Sequence, residues 1–421
     1  MGLKFKIAAN TLAQIIGKGI TAGVTFLVTI FVARQFGAEG YGEFAKIMSY
    51  VAFFYLITDF GFNAIVIKQI TDKEGETERF FRNLLGMRLG GSLILVFVAL
   101  ALLSFLPYSP SLNQGFSPLS KLGIVIATFT ILTQALFLTA NVLFQKNLRY
   151  DLSVLASSAG SISTLFFVFA FTSLRASLLL VIVSYAVGGV LMAGLALIFA
   201  RRFLPQTGPL FDFSLWRKLF WQTLPLGATL VFNLIYFRID IMILALLRAN
   251  FEVGVYGLAY KFFEFPVTFV TFFMNSIYPV MLFRAKENNE RLKSLIKKLV
   301  IFLVPLSLLL TLALILFAPY LTLIKPDFAP SVLALRILSF SLPLFFLSAL
   351  FMWVLITLGK QKLLAIFYGF SMILNICLNL IFIPRYGYLA AAVITCLTEL
   401  AIVLLTGTAA FSFLSPAIKE S

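Results

Sequence analysis

LVIFLVPLSLLLTLALILFAPYLTL, residues 299–323, runs for 25 residues without one charged side chain. At 1.5 Å per residue, a helix of that length exceeds the ~30 Å hydrocarbon core of a bilayer. Working outward, the chain divides into such pieces almost end to end, at 9–33, 43–60, 84–106, 122–144, 152–173, 176–200, 222–247, 253–282, 299–323, 333–357, 363–384 and 388–413. The pieces at 152–173, 176–200 and 363–384 also carry no charge. Composition agrees: 61% of residues are apolar and 12% charged, whereas a soluble domain holds ~45–50% and ~25%. The reading is an all-α integral membrane protein with 12 transmembrane helices. Its first apolar run exceeds the 7–15 residues of a cleaved signal and is expected to stay as span 1.

The formal net charge is +16, which in a soluble protein would suggest nucleic acid. Sorting the basic residues by alternate sides of the membrane supplies another cause. Of the 33, 21 fall on one side, Lys4, Lys6, Lys73, Arg201, Arg202 and Lys419 among them; 7, including Lys46, fall on the other. That bias places both termini in the cytoplasm of a cell-membrane protein and leaves no need for a nucleic-acid partner. Far-side loops are short, the longest being the uncharged stretch from Pro107 to Pro118. The charged cytoplasmic stretches 71–82 and 284–298 read as interfacial amphipathic helices.

Other counts exclude chemistry. With no His, ordinary zinc sites, Ser-His-Asp nucleophiles and histidine relays are ruled out, and neither a metal nor a cofactor is expected. No Gly-x-x-x-x-Gly-Lys-Ser/Thr loop is present, so direct ATP hydrolysis is not expected. Cys377 and Cys396 fall in apolar spans and read as buried small hydrophobes.

Twelve spans divide into six plus six, a parallel repeat about an axis along the membrane normal. Span 1 leads into Arg34 and then Gly40-Tyr41-Gly42; span 7 leads into Arg248 and then Gly254-Val255-Tyr256-Gly257. The basic stretch with Pro205, Gly208 and Pro209 marks the boundary, giving an N-lobe at 1–200, a cytoplasmic linker at 201–215 and a C-lobe at 216–421 around a central cavity.

Ionisable groups at the centre of a span cost at least ~2.5–3.5 kcal/mol and must face protein or water. Span 1 carries Asn10, Gln14 and Lys18 at four-residue spacing, extended by Thr21 and Thr25. Span 7 carries Asn233 and Asp240 on one face, with Arg238 turned away. Span 8 adds Tyr256, Tyr260 and Glu264, with Lys261 three residues before Glu264 and Pro266 just after as a kink site. Arg88 lies in span 3, Asp59 at the inner end of span 2, Glu399 midway along span 12, and Asn375 and Asn379 in span 11. One reading is packing, such as a Lys261–Glu264 pair; the other is a cavity with a cationic lean. Arg88, Arg238, Lys18 and Lys261 suit an anion such as a pyrophosphate, while Asn10, Gln14 and Asn233 suit sugar hydroxyls. Without His, a proton carrier would have to be Asp59, Asp240, Glu264 or Glu399.

Asn10-Thr11, Val32-Ala33-Arg34-Gln35-Phe36-Gly37, Tyr41-Gly42-Glu43-Phe44, Thr58-Asp59-Phe60-Gly61-Phe62, Arg238-Ile239-Asp240, Tyr256-Gly257 and Ile383-Pro384-Arg385-Tyr386-Gly387 together resemble the polysaccharide biosynthesis (Wzx-type oligosaccharide flippase) family. That family sits in the multidrug/oligosaccharidyl-lipid/polysaccharide exporter superfamily. The resemblance covers essentially the whole chain and implies two six-helix lobes, a central cavity lined by spans 1 and 7, and translocation of a polyprenyl-pyrophosphate-linked oligosaccharide to the outer leaflet. Partners on this reading are the lipid-linked glycan, membrane lipids, H+ or Na+, and a glycan polymerase or other assembly proteins. An ion-coupled multidrug or metabolite antiporter on the same fold is the alternative, and a membrane enzyme is the third. Against the enzyme stands the lack of a large external loop.

Overall fold

The structure, a computed structural model, describes residues 3–72, 74–204, 206 and 208–414. Lys73, Pro205 and Lys419, with the side chains of Lys4, Lys6 and Thr11, lie outside the described residues. Contacts group the rest into two compact units. The first holds the chain up to Phe36 and again Glu43–Leu234; the second holds Gly37–Gly42 and the chain from Ile235 onward.

In chain order the helices are α1 (Leu3–Ile57), α2 (Phe62–Asp72), α3 (Thr77–Phe105), α4 (Pro118–Ala127), α5 (Phe129–Lys146), α6 (Tyr150–Ser173), α7 (Leu178–Ala200), α8 (Phe213–Leu247), α9 (Asn250–Glu287), α10 (Asn289–Phe317), α11 (Ala329–Ser339), α12 (Leu342–Thr357) and α13 (Gln361–Leu414). Between α3 and α4 a short antiparallel hairpin pairs β1 (Tyr108–Ser109) with β2 (Gln114–Gly115). Among the described residues nine helices are long and apolar enough to cross a membrane, or ten when the pair α11 and α12, bent by 42°, counts as one span. This is an all-helical, multi-pass membrane protein.

Two of those helices contain a break. Gly37 in α1 adopts φ 67° and Gly387 in α13 adopts φ 59°, a region that L side chains rarely enter. Space closes the option too, since a Cβ on Gly37 would lie 2.6 Å from Asp327 Oδ2 and 2.9 Å from Lys325 Nζ.

Lipid tails are as apolar as leucine, so helices in a bilayer are held by close packing and hydrogen bonds more than by the hydrophobic effect. The first unit shows this where α6 meets α7: a Cβ on Gly160 would sit 2.7 Å from the Gly188 carbonyl, so the two backbones nearly touch. Nearer the start of α6 and the end of α7, Phe81, Leu143, Phe144, Leu152 and Ala196 tie α3, α5, α6 and α7 together. Phe62, Val66 and Ile70 of α2 pack on Leu84 and Leu219. The stretch before α8 is pinned to α3: Arg82 Nε donates to Gly208 O at 2.9 Å and Asn83 Oδ1 accepts from Asp212 N at 2.9 Å. Arg79 bonds Asp212 at 3.0 Å, and that guanidinium, with the Leu215 amide, holds the Asp212 carboxyl below its ordinary value.

In the second unit Phe345 of α12 receives Phe237 of α8 and Phe263 of α9 at centroid distances of 5.7 and 5.4 Å. The segment Gly37–Gly42 packs on the start of α9. There a Cβ on Gly42 would strike the Asn250 carbonyl, and one on Gly254 would strike the Ala38 carbonyl. Each contact repeats the other with the same four-residue spacing, Ala38 to Gly42 and Asn250 to Gly254.

Several expectations need correction. No separate helix forms over 71–82: α2 ends at Asp72, a 3₁₀ turn covers Glu74–Glu76, and α3 begins at Thr77. The stretch 284–298 is the end of α9 and the start of α10, which meet at an extended Asn288 whose side chain accepts from Arg291 N at 2.7 Å. Cys377 is exposed rather than buried, and both cysteines are free. Lys46, read as a far-side loop lysine, is 0% exposed, donating to Gly115 O beneath the hairpin, because α1 continues through it.

Candidate functional site

In the second unit, α8 and α9 run side by side, which brings Arg238 to Glu264. Arg238 Nη2 lies 2.7 Å from Glu264 Oε1, and Lys261 Nζ lies 2.9 Å from Glu264 Oε2. Two cations thus share one carboxylate, and the cluster keeps an excess positive charge. All three side chains are 22–32% exposed, so they are within reach of a polar ligand. Tyr260 OH donates to the Phe237 carbonyl at 3.2 Å and fixes the two helices beside the cluster.

Two further acids of this unit, Asp240 and Glu399, are buried and form no ion pair with the cluster. Asp240 accepts from Tyr256 OH and from the Ile241 amide, and Tyr256 OH also lies 3.4 Å from Thr395 Oγ1. Glu399 accepts from Tyr236 OH at 2.7 Å and from Ser348 Oγ. Tyr236 OH reaches Thr398 Oγ1 at 3.3 Å, and Asn375 Nδ2 donates to the same hydroxyl at 3.2 Å, with Asn379 bonded to Asn375 at 2.8 Å. A buried carboxylate survives in a low-dielectric interior only when its lone pairs are met, and hydroxyl and amide donors meet them here without a direct ion pair. Tyr236, Ser348, Thr395 and Thr398 were not among the expected site residues. They are neutral, and nothing in a single sequence marks them off from packing hydroxyls.

In the first unit Arg88 of α3 is 1% exposed, and its Nη2 reaches Asp59 Oδ1 at 3.3 Å and Asp59 O at 3.5 Å. Its Nε and Nη1 are buried without a hydrogen-bond partner. Lys18 is exposed on α1, in line with Thr21 and Thr25, and a Cβ on Gly19 or Gly23 would meet nothing within 4 Å. Gln14 is half-buried. Asn10 sits elsewhere, spending its amide on the α5–α6 turn: Nδ2 donates to Leu148 O at 2.6 Å and Oδ1 accepts from Tyr150 N at 2.9 Å. Asn233 lies half-buried on α8 at the end of this unit. Among the described residues no group of three or more Cys, Asp or Glu gathers as a metal site would need.

The profile of one family, polysaccharide biosynthesis protein, matches residues 7–282. The chain belongs to the polysaccharide biosynthesis protein family. A second profile, MatE, matches residues 225–381. A comparison with curated proteins gave no match. Solved structures agree on the fold. A lipid II flippase MurJ in an inward closed conformation aligns at TM-score 0.74 and 17% identity, covering 98% of this chain and 88% of that one. An inward-facing multidrug resistance MATE family transporter of the MOP superfamily aligns at 0.73 and 14%, covering 95% and 96%. An outward-facing transporter of that family aligns at 0.63 and 17%, covering 99% and 97%. This member of the polysaccharide biosynthesis family therefore has the fold of MOP-superfamily transporters and flippases.

Proposed function

We propose that this polysaccharide biosynthesis family member moves a polyprenyl-pyrophosphate-linked oligosaccharide from the cytoplasmic to the outer leaflet of the cell membrane. Counting each broken helix, α1 and α13, as two crossings gives twelve spans, with both termini cytoplasmic. An N-lobe at 1–200 and a C-lobe at 216–421, joined at 201–215, alternate access to the substrate. The observation that carries the reading is the convergence of Arg238 and Lys261 on the single carboxylate of Glu264, a half-open cluster with net positive charge. A guanidinium fork matches phosphate oxygens and an ammonium adds a point charge. Lys18 and Arg88 supply further cations, Gln14 and Asn233 supply sugar contacts, and Asn10 serves the α5–α6 turn. Downstream partners are a glycan polymerase or other assembly proteins.

Reconstituted protein should expose a lipid-linked glycan to a bilayer-impermeant probe, and Arg238→Ala should cut that rate at least tenfold with membrane insertion retained. Wild-type flipping by Arg238→Ala removes Arg238 from the headgroup site. The buried acids Asp240 and Glu399 favour a second reading, an antiporter coupled to H+ or Na+. Drug efflux on an imposed proton gradient, with no glycan movement, would put that reading first.

A further inference from the structure

The turn between α1 and α2 is an unusual piece of chain. Phe60 adopts φ 39° and Gly61 φ 75°, and a bulky residue holds such a conformation only when its surroundings impose it. Two contacts do so here. On one side the Phe60 ring stacks on Phe220 of α8, with centroids 5.7 Å apart and planes 3° from parallel. It also lies against Gly227, where a Cβ would come within 2.5 Å of the ring, and Leu226 closes on Gly61 at 2.6 Å in the same sense. On the other side Arg88 holds the residue just before the break, through both the carboxylate and the carbonyl of Asp59.

That second hold is weak in a specific way. A charge-assisted bond of this kind is ordinarily 2.7–2.9 Å; this one is 3.3 Å, uses one guanidinium nitrogen of three, and leaves Nε and Nη1 buried and unmet. Desolvated donors without acceptors are costly, so the site favours any anion that meets more of them. The carboxylate in place is 44% exposed while the guanidinium behind it is 1% exposed, so an incoming anion can displace the acid from the open side. One turn along α3, a Cβ on Gly91 would meet nothing within 4 Å, which leaves room beside Arg88.

We propose that Arg88 and the Asp59–Phe60–Gly61 break form a phosphate-responsive latch: a phosphoryl or pyrophosphoryl group takes the guanidinium, Asp59 is released, and Phe60 withdraws from Phe220 and Gly227 of α8. The proposal rests on the reading of Arg88 as a headgroup cation. Asp59 is then a built-in substitute for the ligand, not a proton carrier, and α8 is set free only when a phosphate is present.

The test uses the full chain with Trp216→Phe and Trp353→Phe, so that Trp221, whose ring lies 6.0 Å from Phe220, reports the latch by its emission. Inorganic pyrophosphate is titrated in detergent, and polyprenyl pyrophosphate is supplied in phosphatidylcholine nanodiscs. Asp59→Asn should tighten binding about tenfold and shift Trp221 emission before any ligand is added. Arg88→Gln should weaken binding at least tenfold and silence the emission change, with Arg88→Lys, which keeps charge but loses the fork, in between. Should Arg88→Gln fail to fold, Arg88→Lys and Asp59→Asn still decide. A response to the lipid alone makes the ligand a headgroup, and a response to both probes makes the site read the phosphate itself; either supports the latch. Silence toward both probes, or unchanged affinity in Asp59→Asn, overturns it. Loss of glycan flipping with an intact Trp221 response would defeat the proposed function and leave the latch standing.

Discussion

The two units treat a cation inside the bilayer in different ways. In the second, the acid is the shared element: Glu264 lies between Arg238 and Lys261 at 2.7 and 2.9 Å, and its removal would leave two like charges facing each other. In the first, the cation is the fixed element: Arg88 is buried, and Asp59 reaches it from a more open position at 3.3 Å. The worth of an ion pair depends on how much charge is stranded when one member is lost. Neutralising Glu264 strands two cations and neutralising Asp59 strands one, so the second unit should suffer more.

Glu264→Gln is accordingly expected to give the largest loss of stability, ~2–3 kcal/mol, which is toward the low end for a buried pair because these groups are partly exposed. The unfolding midpoint in detergent measures it. A second change, Arg238→Gln, should recover part of the loss in the double variant, since it removes one of the stranded charges. Additive losses would show that Glu264 does not hold Arg238.

Asp59→Asn comes next, at ~1 kcal/mol, because the bond it removes is long and the acid is well solvated. Saturating pyrophosphate should restore the wild-type midpoint in this variant, as a ligand that binds the folded state must. A loss equal to that of Glu264→Gln would erase the distinction between the units.

How far these features could be read without a structure depends on their distance along the chain. A span is a local signal of twenty-odd apolar residues, so the membrane class and most helices were legible. So was Lys261 with Glu264, three residues apart on one helix. Arg238 with Glu264, Tyr256 with Asp240 and Tyr236 with Glu399 were not, because each joins different helices whose rotation no local pattern fixes. Lys46 misled for a related reason. A lysine after a Gly-Tyr-Gly turn looks like an interfacial charge, and only the fold shows that α1 carries it under the β1–β2 hairpin. Asn10 likewise looked like one of a polar stripe until the α5–α6 turn was seen to take its amide.

The smallest effect should come from the most exposed of the three pairs. Arg79 and Asp212 join at 3.0 Å at the surface, and surface pairs of this sort contribute little. Because the folded state holds the Asp212 carboxyl below its ordinary 3.8, its contribution is present above that value and fades as pH falls through the lower folded one. At neutral pH, Asp212→Ala should leave the unfolding midpoint unmoved while cleavage of the 201–212 stretch by added protease quickens, since the Leu215 amide at the start of α8 also loses its acceptor. Once pH has fallen below that lowered folded value the carboxyl is protonated in both states, and the two proteins should be cleaved at similar rates. A midpoint shift as large as that of Asp59→Asn would mean that burial is not what ranks the three pairs.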